Sequence, residues 1–111
     1  METAIAKTRF VRISPRKARY AANIIKNMNV EDAALQLQHS QLRGGRLLLK
    51  TLNSAVANAE NQMNVQKRDL RVKEIRVDAG PVMKRAKSKN KGGRVPVMKR
   101  TSHFTIVIGK E

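Results

Sequence analysis

The first half of the chain repeats its apolar residues at the three- and four-residue spacing of helices that bury one face. Ser14-Pro15 predicts a helix start, because serine caps free amides and proline suits the first helical position. That helix is expected to extend to about residue 27, and Asn29 predicts the cap of a second, short helix. A third helix is predicted over residues 40–61. Its apolar or small residues are Gly45, Leu48, Leu49, Leu52, Ala55, Val56 and Ala59.

Three other segments, over residues 4–13, 70–78 and 103–108, have the composition and the two-residue alternation of strands. In the second segment Val72 and Ile75 fall on opposite faces, and a β-bulge near Lys73 and Glu74 would restore the phase. In the last segment Phe104, Ile106 and Ile108 share one face. Gly44-Gly45 near the start of the third helix is unfavourable, by about 1 kcal/mol per glycine.

The segment between the last two strands predicts a protruding hairpin. Gly92-Gly93 is a turn signal at its middle, so residues 70–108 are expected to form one long hairpin, extended over residues 79–103. The tip falls at Lys91-Gly92-Gly93-Arg94, and arms of about 12 residues would project roughly 40 Å. A two-stranded hairpin alone is marginal in water, so we expect this one to order against an anionic partner. The alternative is a disordered basic tail, against which the flanking strands argue.

Charge is both high and segregated along the 111 residues. There are 24 Lys and Arg against 8 Asp and Glu, which gives a net charge of +16 and a pI of about 11.4. Residues 3–30 hold seven basic side chains and residues 79–110 hold nine, and neither stretch holds an acid, whereas residues 31–66 are neutral overall. The middle therefore predicts the core and the two ends predict surfaces that face an anion. Nucleic acid is the usual partner of so basic a domain.

Arg16, Lys17 and Arg19 lie in the first turn of the first predicted helix, where cations oppose the helix dipole. A phosphate bound over that helix end would explain them, and a merely solvated basic face is the alternative. Aromatic residues make up only 3% of the chain, which argues against single-strand recognition by base stacking.

Little in the sequence points to catalysis, metal binding or a membrane. The chain has no cysteine, which excludes thiolate zinc sites and fits a reducing cytoplasm. His39 and His103 are far apart, and neither a carboxylate cluster nor a phosphate loop is visible. No apolar run approaches the roughly 20 residues that span a bilayer, and the first residues do not resemble a secretory signal. We therefore expect no enzyme, no cofactor, no small-molecule substrate and no membrane partner.

Five strings of residues match a known family in order and at the family's spacing. The chain resembles the bacterial large-subunit ribosomal protein L-twenty-two family along nearly its whole length. The strings are Arg12-Ile13-Ser14-Pro15-Arg16-Lys17-Ala18-Arg19, Val30-Glu31-Asp32-Ala33, Ser54-Ala55-Val56-Ala57-Asn58-Ala59-Glu60-Asn61, Val77-Asp78-Ala79-Gly80-Pro81 with Met83-Lys84-Arg85, and Met98-Lys99-Arg100-Thr101-Ser102-His103.

The resemblance implies a single α+β domain over residues 1–111, with three helices packed on a small three-stranded antiparallel sheet and one long protruding β-hairpin. It implies a constituent of the large ribosomal subunit that binds several domains of its rRNA, contacts neighbouring ribosomal proteins and helps assembly. The hairpin would line the polypeptide exit tunnel and meet the nascent chain, near a constriction shared with ribosomal protein L-four.

The residues expected at the tunnel wall are Met83, Lys84, Arg85, Lys91, Gly92, Gly93 and Arg94. Together with the charge pattern, the resemblance predicts a larger set of rRNA contacts. These are Lys7, Arg9, Arg12, Ser14, Arg16, Lys17, Arg19, Lys84, Arg85, Lys87, Lys89, Lys91, Arg94, Lys99, Arg100, Thr101, Ser102 and His103.

Two other functions stay open on the sequence alone. One is an architectural DNA-binding protein with a basic β-arm, for which Pro96 would be the apolar wedge near the tip. The other is a basic module for an acidic protein or a membrane surface, which would need large apolar residues opposite the charges of a helix. The first predicted helix has mostly alanine there, so this second alternative is the weaker one.

Overall fold

The computed structural model describes the backbone of residues 3–88 and 94–110 and the side chains of residues 3–82 and 99–110. Over these residues the helices are α1 (Pro15–Ile25), α2 (Val30–Gln38) and α3 (Arg43–Met63), with a 3-10 turn at Lys67–Asp69. The strands are β1 (Thr3–Val11), β2 (Leu70–Ala79), β3 (Met83–Ser88), β4 (Arg94–Lys99) and β5 (Ser102–Lys110). The predicted α+β class, with helices packed on a three-stranded antiparallel sheet, is confirmed.

The sheet has the order β1-β5-β2, so the last strand of the chain lies between the other two. Phe104, Ile106 and Ile108 of β5 are fully buried, as their shared face predicted. They join a core to which α3 contributes Leu48 and Leu52, and α3 packs directly on β1 and β5. The helices therefore cover one face of the sheet, with α3 on β1 and β5 and α1 on β2.

Each edge strand contains one bulge. In β2 the register shifts between Val72 and Glu74, which inserts the extra residue where the alternation predicted it. In β1 the register shifts between Thr8 and Val11, and Phe10 there adopts a left-handed backbone with φ of 59°. The second bulge was not predicted, because its residues show no change of alternation that would reveal it.

The helix starts follow the capping residues in two of the three cases. The Ser14 hydroxyl accepts a hydrogen bond from Lys17 N at 3.3 Å, and the Asn29 side chain accepts one from Glu31 N at 2.9 Å. The third helix begins at Arg43 instead of residue 40, because the Ser40 hydroxyl accepts from Leu42 N and forms a local turn just before the helix.

The two glycines of α3 mark two different close contacts. A Cβ on Gly44 would lie 3.2 Å from the Ala18 Cα atom, so Gly44 is where α1 crosses α3. A Cβ on Gly45 would lie 2.8 Å from the Ser40 Cβ atom, closer than real side chains approach. The helix crossing is therefore at Gly44, and Gly45 packs against the turn that precedes the helix.

Beyond the three-stranded sheet, β3 and β4 form a separate two-stranded antiparallel sheet with a register that runs from Met83↔Lys99 to Ser88↔Arg94. This pairing gives the molecule its elongated dimensions of 61 × 23 × 17 Å. The predicted tip lies outside the described residues, apart from the backbone of Arg94 at the start of β4.

The contact at Gly45 gives a test of the packing. We expect Gly45→Ala to lower the free energy of unfolding, because the collision with Ser40 outweighs the gain of about 1 kcal/mol in helix propensity. In a Ser40→Gly background the same substitution should be neutral or stabilising. Urea unfolding of the two single variants and the double variant measures this coupling. Equal effects of Gly45→Ala in both backgrounds would contradict the proposed contact.

Candidate nucleic-acid interface

Hydrogen bonds close the base of the β3–β4 hairpin and tie it to the β1–α1 connection. Gly80 N donates to the Thr101 carbonyl at 2.9 Å, and the Thr101 hydroxyl donates to the Pro81 carbonyl at 2.7 Å. The Ser102 hydroxyl, which is fully buried, donates to the Ile13 carbonyl at 2.7 Å. A Cβ at Gly80 would collide with the Thr101 hydroxyl, so this position needs glycine. The hairpin therefore leaves the domain from a fixed base.

Two further predicted site residues also make internal contacts. The Arg19 guanidinium donates to the Val77 carbonyl through Nη2 at 2.9 Å and Nε at 3.2 Å, which joins α1 to β2. His103 Nδ1 accepts from Phe10 N at 3.1 Å, and the two rings meet edge to face at 5.0 Å between centroids. Both side chains thus contribute to the arrangement of the elements around the hairpin base.

A groove lies beside this base. Its volume is about 750 Å³, and it is formed by the β1–α1 connection, α1, the start of α3 and the end of the hairpin. It is lined by Arg12, Ile13, Ser14, Lys17, Tyr20, Leu42, Arg43, Gly44, Lys99 and Arg100. We call this the basic groove, because five of its described lining residues are cations and none is an acid.

The five cations of the basic groove come from distant parts of the chain. Arg12 and Lys17 belong to the acid-free N-terminal stretch, Lys99 and Arg100 to the acid-free C-terminal stretch, and Arg43 to the neutral middle. All five are exposed. Mutual repulsion would disfavour such a cluster on a free protein, so an anionic ligand is the natural complement.

A second, smaller basic surface lies on the face of the sheet that the helices leave open. Its pocket of about 320 Å³ is lined by Lys7, Arg9, Phe10, Arg76, Asp78, His103, Phe104 and Thr105. Here the cations are mixed with an acid, and Arg76 also lies 3.6 Å from Glu74. The positive potential is therefore weaker than in the basic groove.

The structure brings some of the predicted rRNA-binding residues together and separates others. Arg12, Lys17, Lys99 and Arg100 meet in the basic groove, and Arg16 is exposed nearby on α1. Ser14, Arg19, Thr101, Ser102 and His103 all make the internal hydrogen bonds described above. For Thr101 and Ser102, which are 4% and 0% exposed, burial leaves no access to an RNA backbone, and we assign them to the hairpin base.

The remaining predicted residues lie where the structure describes no side chains. Met83, Lys84, Arg85, Lys87 and Arg94 have a described backbone in the hairpin strands, whereas Lys89, Lys91, Gly92 and Gly93 lie outside the described residues. The sequence did not single out three residues of the basic groove, Tyr20, Leu42 and Arg43. No local pattern could have found them, because the groove forms only when α1, α3 and the hairpin end meet.

Two further features of the described part of the chain bear on function. None of its helices combines the length and the apolar character that crossing a membrane requires. Its described His, Asp and Glu residues do not form a group of three that could hold a metal ion.

Comparison with known proteins assigns this architecture to a family. The family model for ribosomal protein L22p/L17e matches residues 6–109, which is nearly the whole chain. The chain belongs to the ribosomal protein L22p/L17e family. It is 60% identical over 108 residues to the large ribosomal subunit protein uL22 of Protochlamydia amoebophila, with 97% of each chain covered. It is 55% identical over 106 residues to the protein of the same name from Chlamydia pneumoniae, with 96% of each chain covered.

The assignment of Ser102 to the hairpin base can be tested. Ser102→Ala would leave the buried Ile13 carbonyl unpaired, so we expect the free energy of unfolding to fall by about 1–3 kcal/mol. RNA affinity of the folded variant should not change. Ser54→Ala, at an exposed position of α3, is the matched control and should have little effect. A Ser102→Ala protein of normal stability that bound RNA weakly would instead place this hydroxyl in the interface.

Proposed function

We propose that this chain is a structural constituent of the large ribosomal subunit, where it binds rRNA and supports assembly. The observation that carries the proposal is the basic groove, in which cations from both acid-free ends of a member of this ribosomal family form one surface. The uL22 relatives are named as large-subunit proteins, and the high identity over nearly the whole chain supports the same place for this one. In a bacterial cell that place is cytoplasmic.

The groove would act by neutralising RNA phosphates. Lys and Arg release the counterions condensed on the RNA backbone, which makes binding strong and dependent on salt. Arginine adds orientation, because its guanidinium can donate two parallel hydrogen bonds to one phosphate. Arg12, Arg43 and Arg100 are therefore the side chains that we expect to fix the orientation, and Lys17 and Lys99 to add charge. We also propose Lys7, Arg9 and Arg16, which are exposed, as further contacts.

The hairpin would extend the interface into the subunit. Its paired strands β3 and β4 leave the domain at the fixed base and carry Lys84, Arg85, Lys87 and Arg94. We propose that these cations contact several rRNA domains. In the same way, we assign Met83, Lys84 and Arg85, with the tip at residues 91–94, to the wall of the polypeptide exit tunnel. Partners would then include the nascent polypeptide and neighbouring ribosomal proteins.

Membership of a ribosomal family implies a structural component and not an enzyme. The alternative of an architectural DNA-binding protein has no specific observation in its favour. The same holds for a basic module that binds an acidic protein or a membrane, since both alternatives rested on charge, which the ribosomal role also explains.

The role of the basic groove can be tested by removing two of its cations. We expect Lys17→Gln with Arg43→Gln to weaken binding of large-subunit rRNA and to reduce the slope of log affinity against log salt by about 2, since each cation neutralises one phosphate. Fluorescence anisotropy with labelled rRNA at several salt concentrations measures this. The charge-matched control is Lys67→Gln with Arg68→Gln. These two residues lie just before β2, at the end of that strand away from the hairpin. An unchanged slope in the groove variant would exclude the groove from the interface.

The division of labour between groove and hairpin can be tested in ribosomes. Replacing residues 86–96 by two glycines would close the hairpin at the Arg85↔Val97 pair. We expect this variant to sediment with the large subunit after a high-salt wash, because the basic groove is intact, and to alter elongation of nascent chains.

A control variant keeps the hairpin length but replaces four cations by Gln: Lys87, Lys89, Lys91 and Arg94. It separates the effect of hairpin length from the effect of hairpin charge. Release of the unmodified protein from the subunit by the high-salt wash would contradict the proposed function itself. Release of the shortened variant alone would show that the hairpin, and not the groove, anchors the protein.

A further inference from the structure

Tyr20 is the most exposed of the three aromatic residues of this chain. The sequence contains two phenylalanines, one tyrosine and no tryptophan. Phe104 is fully buried in the core, and Phe10, which is 61% exposed, packs its ring edge to face against His103. Tyr20 is 64% exposed on α1. Tyr20 lines the basic groove and lies three residues, or about one helical turn, after Lys17. The role of Tyr20 is therefore not explained by the folding of the domain.

Apolar surface and positive charge occur together in the basic groove. Leu42, which is 43% exposed, and the buried Ile13 line it beside Tyr20. Phosphate binding alone would need the cations and no apolar surface. A ligand that matches both features is an anion that carries a flat, weakly polar group, and a nucleotide has this composition. The groove volume of about 750 Å³ lies within the range of roughly 300–1,000 Å³ that is usual for small-ligand sites.

We propose that the basic groove accepts an unpaired nucleotide of the rRNA, whose base stacks on Tyr20 while the adjoining phosphates bind the surrounding cations. This inference rests on the proposed rRNA binding and specifies which kind of RNA element the groove holds. A base within a duplex is stacked on its neighbours and hidden from an aromatic side chain, whereas a base in a loop, bulge or strand end can be turned outward. Lys17, Arg43 and Arg100 line the same groove as Tyr20 and can bind the phosphates on either side of the base.

One stacked base is compatible with the low aromatic content of the chain. A low aromatic content argues against base stacking over the interface as a whole, and the cations dominate that interface. One exposed ring, however, is enough to hold one base. An acidic segment of a protein is the other anion that could lie in the groove, but its carboxylates would leave the ring of Tyr20 without a stacking partner.

Because Tyr20 is the sole tyrosine and the chain has no tryptophan, its fluorescence reports on this site alone. We would titrate the full chain with a short single-stranded oligoribonucleotide, the same oligonucleotide without bases, and a duplex of equal charge. We expect the first to quench Tyr20 emission and the other two to bind with little quenching. A poly-glutamate peptide should not quench. Equal quenching by the base-free strand, the duplex or the peptide would overturn the proposal.

Variants at position 20 separate stacking from charge. We expect Tyr20→Ala to weaken binding of the single strand by about tenfold, the usual effect of losing one stacked base, and to leave duplex binding unchanged. Tyr20→Phe should retain affinity, because phenylalanine also stacks. Ile24→Ala, one turn further along α1 and 48% exposed outside the groove, is the matched control.

The outcomes also distinguish this proposal from the proposed function. If Tyr20→Ala binds both RNAs like the unmodified protein, the stacking site is wrong, whereas phosphate binding by the groove cations stands. If Lys17→Gln with Arg43→Gln leaves binding of both RNAs unchanged, the groove is not an RNA interface and both proposals fail. Loss of affinity for both RNAs in Tyr20→Ala would assign the ring a structural role and would also overturn the stacking site.

Discussion

The structure depends on the pairing of β5 with both other strands of its sheet. This last strand lies in the centre and contributes Phe104, Ile106 and Ile108 to the core beneath α3. Its pairing with β1 brings the N-terminal stretch beside the C-terminal one, although the paired residues, from Val11↔Ser102 to Thr3↔Gly109, are 91 to 106 positions apart in sequence. The buried bond from Ser102 to the Ile13 carbonyl continues the connection past the end of the ladder. A basic surface built from both ends of the chain is therefore a consequence of the core.

This arrangement brings like charges together, and the energies show why the fold tolerates it. Burial of one large apolar side chain contributes about 1.5–3 kcal/mol, whereas two exposed charges 4 Å apart in water interact by about 1 kcal/mol. The three buried side chains of β5 can thus offset the repulsion of several exposed cations. The repulsion is not removed, however, and it favours any partner that supplies phosphates. Stability of the domain and affinity for an anion are linked in this way.

Local patterns predicted the elements of the fold, and long-range contacts determined the details that they missed. The bulge in β2 was predictable, because Val72 and Ile75 fall out of phase in the sequence. The bulge at Phe10 was not, since it depends on His103, ninety-three residues away. The start of α3 was predicted three residues too early, because nothing in the sequence distinguishes a serine that caps a helix from one that, like Ser40, forms a turn before it.

The candidate site also depends on long-range contacts that local sequence patterns do not reveal. The charge pattern and the family resemblance selected Arg12, Lys17, Lys99 and Arg100, which are exposed, but could not show that they lie in one groove or that Arg43 from the neutral middle joins them. Hydroxyl side chains did not identify RNA contacts in the sequence, because a serine that binds RNA and one that holds a strand in place look alike there. Burial separates the two. Thr101 and Ser102, which fix the hairpin base, are buried, whereas the cations that line the groove with Tyr20 are exposed and available to a ligand. Since the hidden bonds hold in place the elements that carry the exposed cations, substitutions in the two groups should differ in kind, the first changing stability and the second changing affinity.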